Sequence, residues 1–157
     1  MAETKTTKPK KEASLAYYEA VGRCSEAVAR VRAYLVKKGG TKIGEVEYKA
    51  GAFIVNDKVL AKAFPLLTDQ MVCQKPLKIT ESTDRFVISV KVSGGGVTGQ
   101  IGAIAHGLAR ALSLEPTGAD RMKMRASGHL TRDARTRERR MVGTGGKSRR
   151  LKQSPKR

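Results

Sequence analysis

The 157-residue chain has no tryptophan, two cysteines, two histidines and only seven Phe or Tyr side chains, all at or before Phe86. Each shortage excludes something. Cys24 and Cys73 stand 49 positions apart without a CxxC. That spacing argues against a disulfide framework or a zinc ribbon and predicts reduced thiols in a cytosol-like compartment. No run approaches the roughly 18 apolar residues that a membrane-spanning helix needs, which excludes an integral membrane protein. Met1 to Ser14 lacks the apolar core of a secretory signal. His106 and His129 have no Ser or Cys nucleophile with an orienting acid at a recognisable spacing. With Cys24 and Cys73 they are four isolated singletons rather than a ligand set. The sequence therefore predicts no catalytic residue, no metal and no cofactor.

Acidic residues are scarce as well. Fourteen Asp and Glu face 32 Lys and Arg, a net charge of +18. Such an excess strains a compact state by self-repulsion and makes sense when a polyanion is the partner. The excess is uneven: residues 121–157 hold 14 cations against Asp133 and Glu138, whereas residues 1–120 hold 18 against 12. A charge run so one-sided reads as an interaction tail. Nucleic acid, and no membrane, is the expected partner, with an acidic membrane or protein as the lesser alternative. Without aromatics it has nothing on which to stack bases, so its contacts should go mainly to phosphate.

Against this background the chain shows three expected units. Residues 1–16 are polar and rich in Lys and Thr, and are expected to be disordered until bound. Residues 17–129 carry the apolar periodicities of an α+β domain. Ala27, Ala29, Val31, Ala33 and Leu35 alternate with Val28, Arg30, Arg32 and Tyr34, the pattern of a half-buried strand. Gly39-Gly40 breaks it, Lys42 to Ala50 forms a small excursion, and Ala52 to Asn56 reads as a short strand. Phe64-Pro65 opens a helix to about Gln74, with Leu66, Leu67, Met71 and Val72 as its expected apolar face. Phe86, Ile88, Val90 and Val92 alternate as another strand. After Ser93-Gly94-Gly95-Gly96, Val97, Ile101, Ile104, Leu108 and Leu112 form a core-facing helical stripe, with Gln100, His106 and Arg110 off it. Pro116-Thr117-Gly118 ends that helix, and Ala119 to Ala126 suggests one more short one. Residues 130–157 show no sustained period and are expected to be an extended basic tail. One sheet with helices on one face fits this order.

Two glycine motifs need weighing. Gly94 to Gly99 satisfies G-x-G-x-x-G between a strand and a helix. A dinucleotide fold needs a second parallel strand after that helix, and residues 113–126 read as turn and short helix instead. The glycines serve either a tight turn or the close approach of a backbone anion site. Gly146-Lys147-Ser148 resembles the end of a phosphate-binding loop, but Met141 stands where that motif requires glycine.

Taken together, Val92 to Ile104 and His106 to Leu112 resemble the signature of the ninth protein of the small ribosomal subunit, in its bacterial form. Gly128, Leu130 to Arg135 and Glu138-Arg139-Arg140 are similar to the family's next block, and Gln153 to Arg157 to its basic terminus. Gly22-Arg23, Glu26 to Arg32, Val55-Asn56, Phe64-Pro65 and Gln74 to Leu77 follow the family order. The resemblance implies the fold of the second domain of the fifth small-subunit protein, a mixed four-stranded sheet with helices on one face. It implies a structural, non-enzymatic constituent of the small subunit, with small-subunit rRNA in the head, neighbouring ribosomal proteins and peptidyl-site tRNA as partners. The candidate rRNA-facing residues are Arg23, Arg30, Arg32, Gly94, Gly95, Gly96, Gly99, Gln100, His106, Arg110, Thr131, Arg132, Arg135, Arg139, Arg140, Lys147, Arg149 and Arg150. Lys156 and Arg157 are the candidates for tRNA.

Three features depart from the family pattern. Cys24-Ser25 stand where basic residues are usual, Gly39 to Ala50 is longer, and Pro155 interrupts the terminal Ser-Lys-Arg. A bacterial cytoplasm is the expected location, with a processed organellar form as the alternative. On charge alone, a free nucleic-acid-compacting protein is the competing reading.

Overall fold

The structure, a computed structural model, describes residues 17–36, 41–43, 46–115 and 119–148. The predicted extension 1–16 lies outside these residues, as do the last nine of the tail. Strand alternation sets the centre of the sheet. In β2 (Ala27–Leu35), Ala27, Ala29, Val31 and Ala33 are all fully buried, while Val28 and Arg30 face outward. In β7 (Phe86–Ser93), Phe86, Ile88, Val90 and Val92 join the same core. The two strands pair antiparallel, and β1 (Tyr17–Cys24) pairs antiparallel with β2 on its other side.

Beyond β7 the sheet continues with β5 (Phe53–Val55), parallel to β7, and ends with β6 (Lys58–Val59), antiparallel to β5. Asn56 and Asp57 form the two-residue turn between them at φ 46° and 64°, the left-handed pair that a tight hairpin of this twist requires. Asn56 also extends the sheet with its side chain. Its Nδ2 donates to the Val92 carbonyl at 3.0 Å, and its Oδ1 accepts from the Val92 N–H at 2.9 Å. The expected four-stranded sheet is therefore five-stranded and mixed, the fifth strand being a two-residue edge. The excursion after Gly39-Gly40 is a second small sheet, the hairpin of β3 (Thr41–Ile43) and β4 (Val46–Tyr48).

Helix α3 (Val97–Leu112) packs on β1 and β2 through the predicted stripe, with Ile101, Ile104, Leu108 and Leu112 buried. Val97, the first member of that stripe and the first residue of α3, is exposed instead. The short helix α1 (Leu60–Ala63) precedes α2 (Leu67–Ile79), and α4 (Ala119–Ala126) forms as expected. Helix α2 corrects the sequence reading twice. It runs five residues past Gln74 and through Pro76, which is buried and whose missing N–H removes one helical bond without ending the helix. It also buries Cys73, Pro76 and Leu77, and turns Leu66, Leu67, Met71 and Val72 outward. The reason is that α2 packs against α3 and α4, and a helix laid on helices hides a narrow stripe chosen by its neighbours.

The opposite face of the sheet is partly covered. Tyr34, Ile54 and Val87 form a second small core closed by Val36, Ile43, Tyr48 and Ala52. The β3–β4 hairpin thus shields one end of the face that the helices leave open.

Candidate nucleic-acid interface

Residues directly opposite on antiparallel strands share a face of the sheet, so the register places the candidate cations. Arg23 lies opposite Val28, and Val28 opposite Ser93; in the next row Arg30 lies opposite Val21 on one side and Lys91 on the other. Arg23, Arg30 and Lys91 are all exposed. Two like charges placed directly across a strand pair repel, and an anion bridging them would offset that cost. Lys91 was not among the sequence candidates. Its off-phase position between Val90 and Val92 marked it as solvent-facing, but its neighbour Arg30 is 61 positions away in sequence and only the register joins them.

Arg32, one row further, is differently occupied. Its Nε donates to Glu19 Oε2 at 2.8 Å, and its guanidinium lies 5.0 Å from the centre of the Tyr17 ring. The Glu19 carboxylate raises its pKa. Arg32 therefore ties β2 to β1 at the boundary between the basic end of the face and the apolar end under the hairpin.

The glycine block divides into separate roles. Gly94 and Gly95 take φ values of 75° and 61°, and a Cβ on Gly94 would stand 2.7 Å from the Glu26 carbonyl oxygen. These two glycines are required by the turn itself. Gly99 faces Ala27 at ordinary contact distance. Gln100 donates from Nε2 to the Gly94 carbonyl at 3.2 Å and so braces the loop. Gly96 differs: it precedes α3 in ordinary extended geometry, with open space where a Cβ would go. Nothing among the described residues calls for glycine there.

His106 and Arg110, one turn apart on α3, both reach the free edge of β1. His106 Nδ1 accepts from the Arg23 N–H at 3.4 Å, and Arg110 Nη1 donates to the Val21 carbonyl. The Leu130 backbone, where the chain leaves the domain, also acts on the imidazole and favours its protonated form. Burial, followed by the nearby Arg110 charge, lowers its pKa and keeps it neutral. These two candidates thus satisfy edge-strand backbone groups that would otherwise be left for another strand.

After Leu130 the chain carries neither helix nor strand through residue 148, and Thr131, Arg132, Arg135, Arg139, Arg140 and Lys147 are exposed. Asp133 holds Arg135, with Nε 3.0 Å from Oδ1 and Nη2 2.7 Å from Oδ2. The guanidinium brings the Asp133 carboxyl down to about 2. Residues 132–141 carry no regular element, and turns follow them. Thr144 N–H bonds the Met141 carbonyl and Lys147 N–H the Thr144 carbonyl, with Gly143, Gly145 and Gly146 all at positive φ. Glycine supplies those left-handed positions without steric cost. Arg149, Arg150, Lys156 and Arg157 lie outside the described residues.

An α+β domain with cations grouped on its open sheet face, and more on the segment that leaves it, has the make-up of a basic RNA-binding protein. The comparisons give the family. A family model described as ribosomal protein S9/S16 matches residues 22–157. The small ribosomal subunit protein uS9 of Maridesulfovibrio salexigens is 42% identical over 127 residues, covering 81% of this chain and 87% of the relative. The chain belongs to the ribosomal protein S9/S16 family. It is a structural protein of the small ribosomal subunit and not an enzyme, and its partners are rRNA and other ribosomal proteins.

Proposed function

We propose that the chain binds small-subunit rRNA in the head of the subunit through three surfaces: the Arg23–Arg30–Lys91 face, the Gly96 end of α3, and the exposed Arg132 to Arg140 segment. The observation that carries this reading is the direct opposition of Arg30 and Lys91 on the open sheet face, with Arg23 one row away. Its mechanism is cation–phosphate pairing and shape fit. The terminal Lys156 and Arg157 then approach tRNA in the peptidyl site, which gives the length of the tail a purpose beyond anchoring.

The test is binding of the full-length protein to a head-domain rRNA fragment across a salt series. Arg30→Gln and Lys91→Gln should each flatten the log K against log salt slope by about 1. Each should also leave folding stability unchanged or slightly raised, since a like-charge pair is relieved. An unchanged slope in both variants would remove the sheet face from the interface. For the tail, loss of Lys156 and Arg157 should leave subunit incorporation intact while costing about 1–2 kcal/mol in tRNA affinity.

A further inference from the structure

The outward turn of α2 leaves a surface that the RNA-binding reading does not use. Leu66, Leu67, Met71 and Val72 are 64%, 70%, 58% and 44% exposed. Leu67 and Met71 are one turn apart, and Lys75 and Lys78 continue the same exposed face toward the helix C-terminus. The face is thus apolar in its first half and basic in its second. Scattered apolar side chains are ordinary on a protein surface, but a contiguous group at helical spacing marks an interaction site.

We infer that this face of α2 docks a neighbouring small-subunit protein, through a helical or extended segment that presents apolar side chains bordered by Asp or Glu. The inference rests on family membership and stands independently of the RNA-facing surfaces proposed above. Charge complementarity chooses the occupant. Leu, Met and Val offer phosphate no donor, so RNA would gain little from the apolar half. The chain's own residues 1–16 carry four lysines, two glutamates and a single leucine, which suits neither the apolar half nor the lysine half. A second copy related by a two-fold axis would lay the apolar half of one helix on Lys75 and Lys78 of the other when the helices run antiparallel. An acidic-bordered apolar segment satisfies both halves. Four side chains fall well short of the area that a stable interface buries, so docking adds to assembly on the rRNA rather than replacing it.

The test places a photo-crosslinking benzoylphenylalanine at Leu67, at Met71 and, as a control, at Met122 of α4, 78% exposed, in full-length protein incorporated into small subunits. Positions 67 and 71, but not 122, should crosslink to one small-subunit protein at a peptide containing apolar residues bordered by Asp or Glu. Lys75→Glu with Lys78→Glu should lower the yield at Met71 about 3-fold or more. The denaturation midpoint of the free protein should fall only slightly, because both lysines are exposed and the main loss is the favourable Lys78 charge in the last turn of α2. Crosslinks to rRNA, to a second copy of this chain or to the chain's own N-terminal residues would overturn the proposal. So would absent crosslinks, or a yield that the charge reversal leaves unchanged.

Discussion

Gly22 of β1 and Gly107 of α3 meet backbone to backbone. A Cβ on Gly22 would fall 2.0 Å from the Ala103 carbonyl oxygen and 2.3 Å from the Gly107 nitrogen; one on Gly107 would fall 2.8 Å from Val31 Cγ2. This seating lets α3 lie close over the small residues of β1 and β2 and brings His106 and Arg110 within reach of the β1 edge.

Gly107→Ala is the sharper test of that seating, because the two contributions have opposite signs. Helix propensity alone would make alanine more favourable by about 1 kcal/mol. The missing space should override it, giving net destabilisation of about 1–3 kcal/mol in urea unfolding. Gly22→Ala, which meets backbone atoms, should cost at least as much. A stabilised Gly107→Ala variant would show that the helix can lift off the strand cheaply.

Gly96→Ser separates turn chemistry from RNA approach. Serine keeps the preference for a helix N-cap, and its Cβ enters open space, so the unfolding midpoint should be unchanged or slightly higher. If the RNA backbone comes in at Gly96 as proposed, the added side chain stands in its way and affinity for the rRNA fragment should fall. Unchanged affinity would reduce Gly96 to a turn residue.

The two thiols should differ in reactivity. Cys73 is fully buried, and burial pushes its pKa up to about 12. Only the thiolate reacts. Native-state alkylation followed by peptide mass analysis should therefore modify the half-buried Cys24 at most, with Cys73 labelled only on unfolding. Rapid labelling of Cys73 in the native protein would contradict its place between α2 and the core.

Stability should fall as the solution is acidified through the histidine range. Burial lowers the pKa of both His106 and His129 below 6.5, helped by Arg110 and by Lys75 respectively. The unfolded chain then binds these protons first. The contribution is complete above about pH 6.5 and is lost as the pH falls toward the folded values. Asp120 acts in the reverse sense: burial and Glu115 raise its pKa above 3.8, so its contribution is lost as the pH rises through that lower range. Unfolding midpoints at about pH 7.5 and about pH 5 should differ in the native sequence and converge in the double variant His106→Gln, His129→Gln. An undiminished difference would assign the effect to other groups.

The residues that sequence periodicity identified are those whose burial is decided locally. Ala27 to Ala33, Phe86 to Val92 and Ile101 to Leu112 each show one apolar face to one large core, and any fold that buries them must respect their spacing. The cationic bias of residues 121–157 and the family signature around Gly94 to Leu112 were likewise plain in the chain itself. β1 was not legible, because an edge strand half-covered on both sides has no sharp alternation. Nor was the hairpin, whose short strands acquire meaning only by covering Tyr34, Ile54 and Val87. Tertiary structure alone decided three things: the pairing of Arg30 with Lys91, the use of His106 and Arg110 on the β1 edge, and the outward turn of Leu67 and Met71. The physical reason is common to all three. Sequence spacing states which side chains share a face, whereas register and the choice of packing neighbour depend on contacts between segments far apart in the chain.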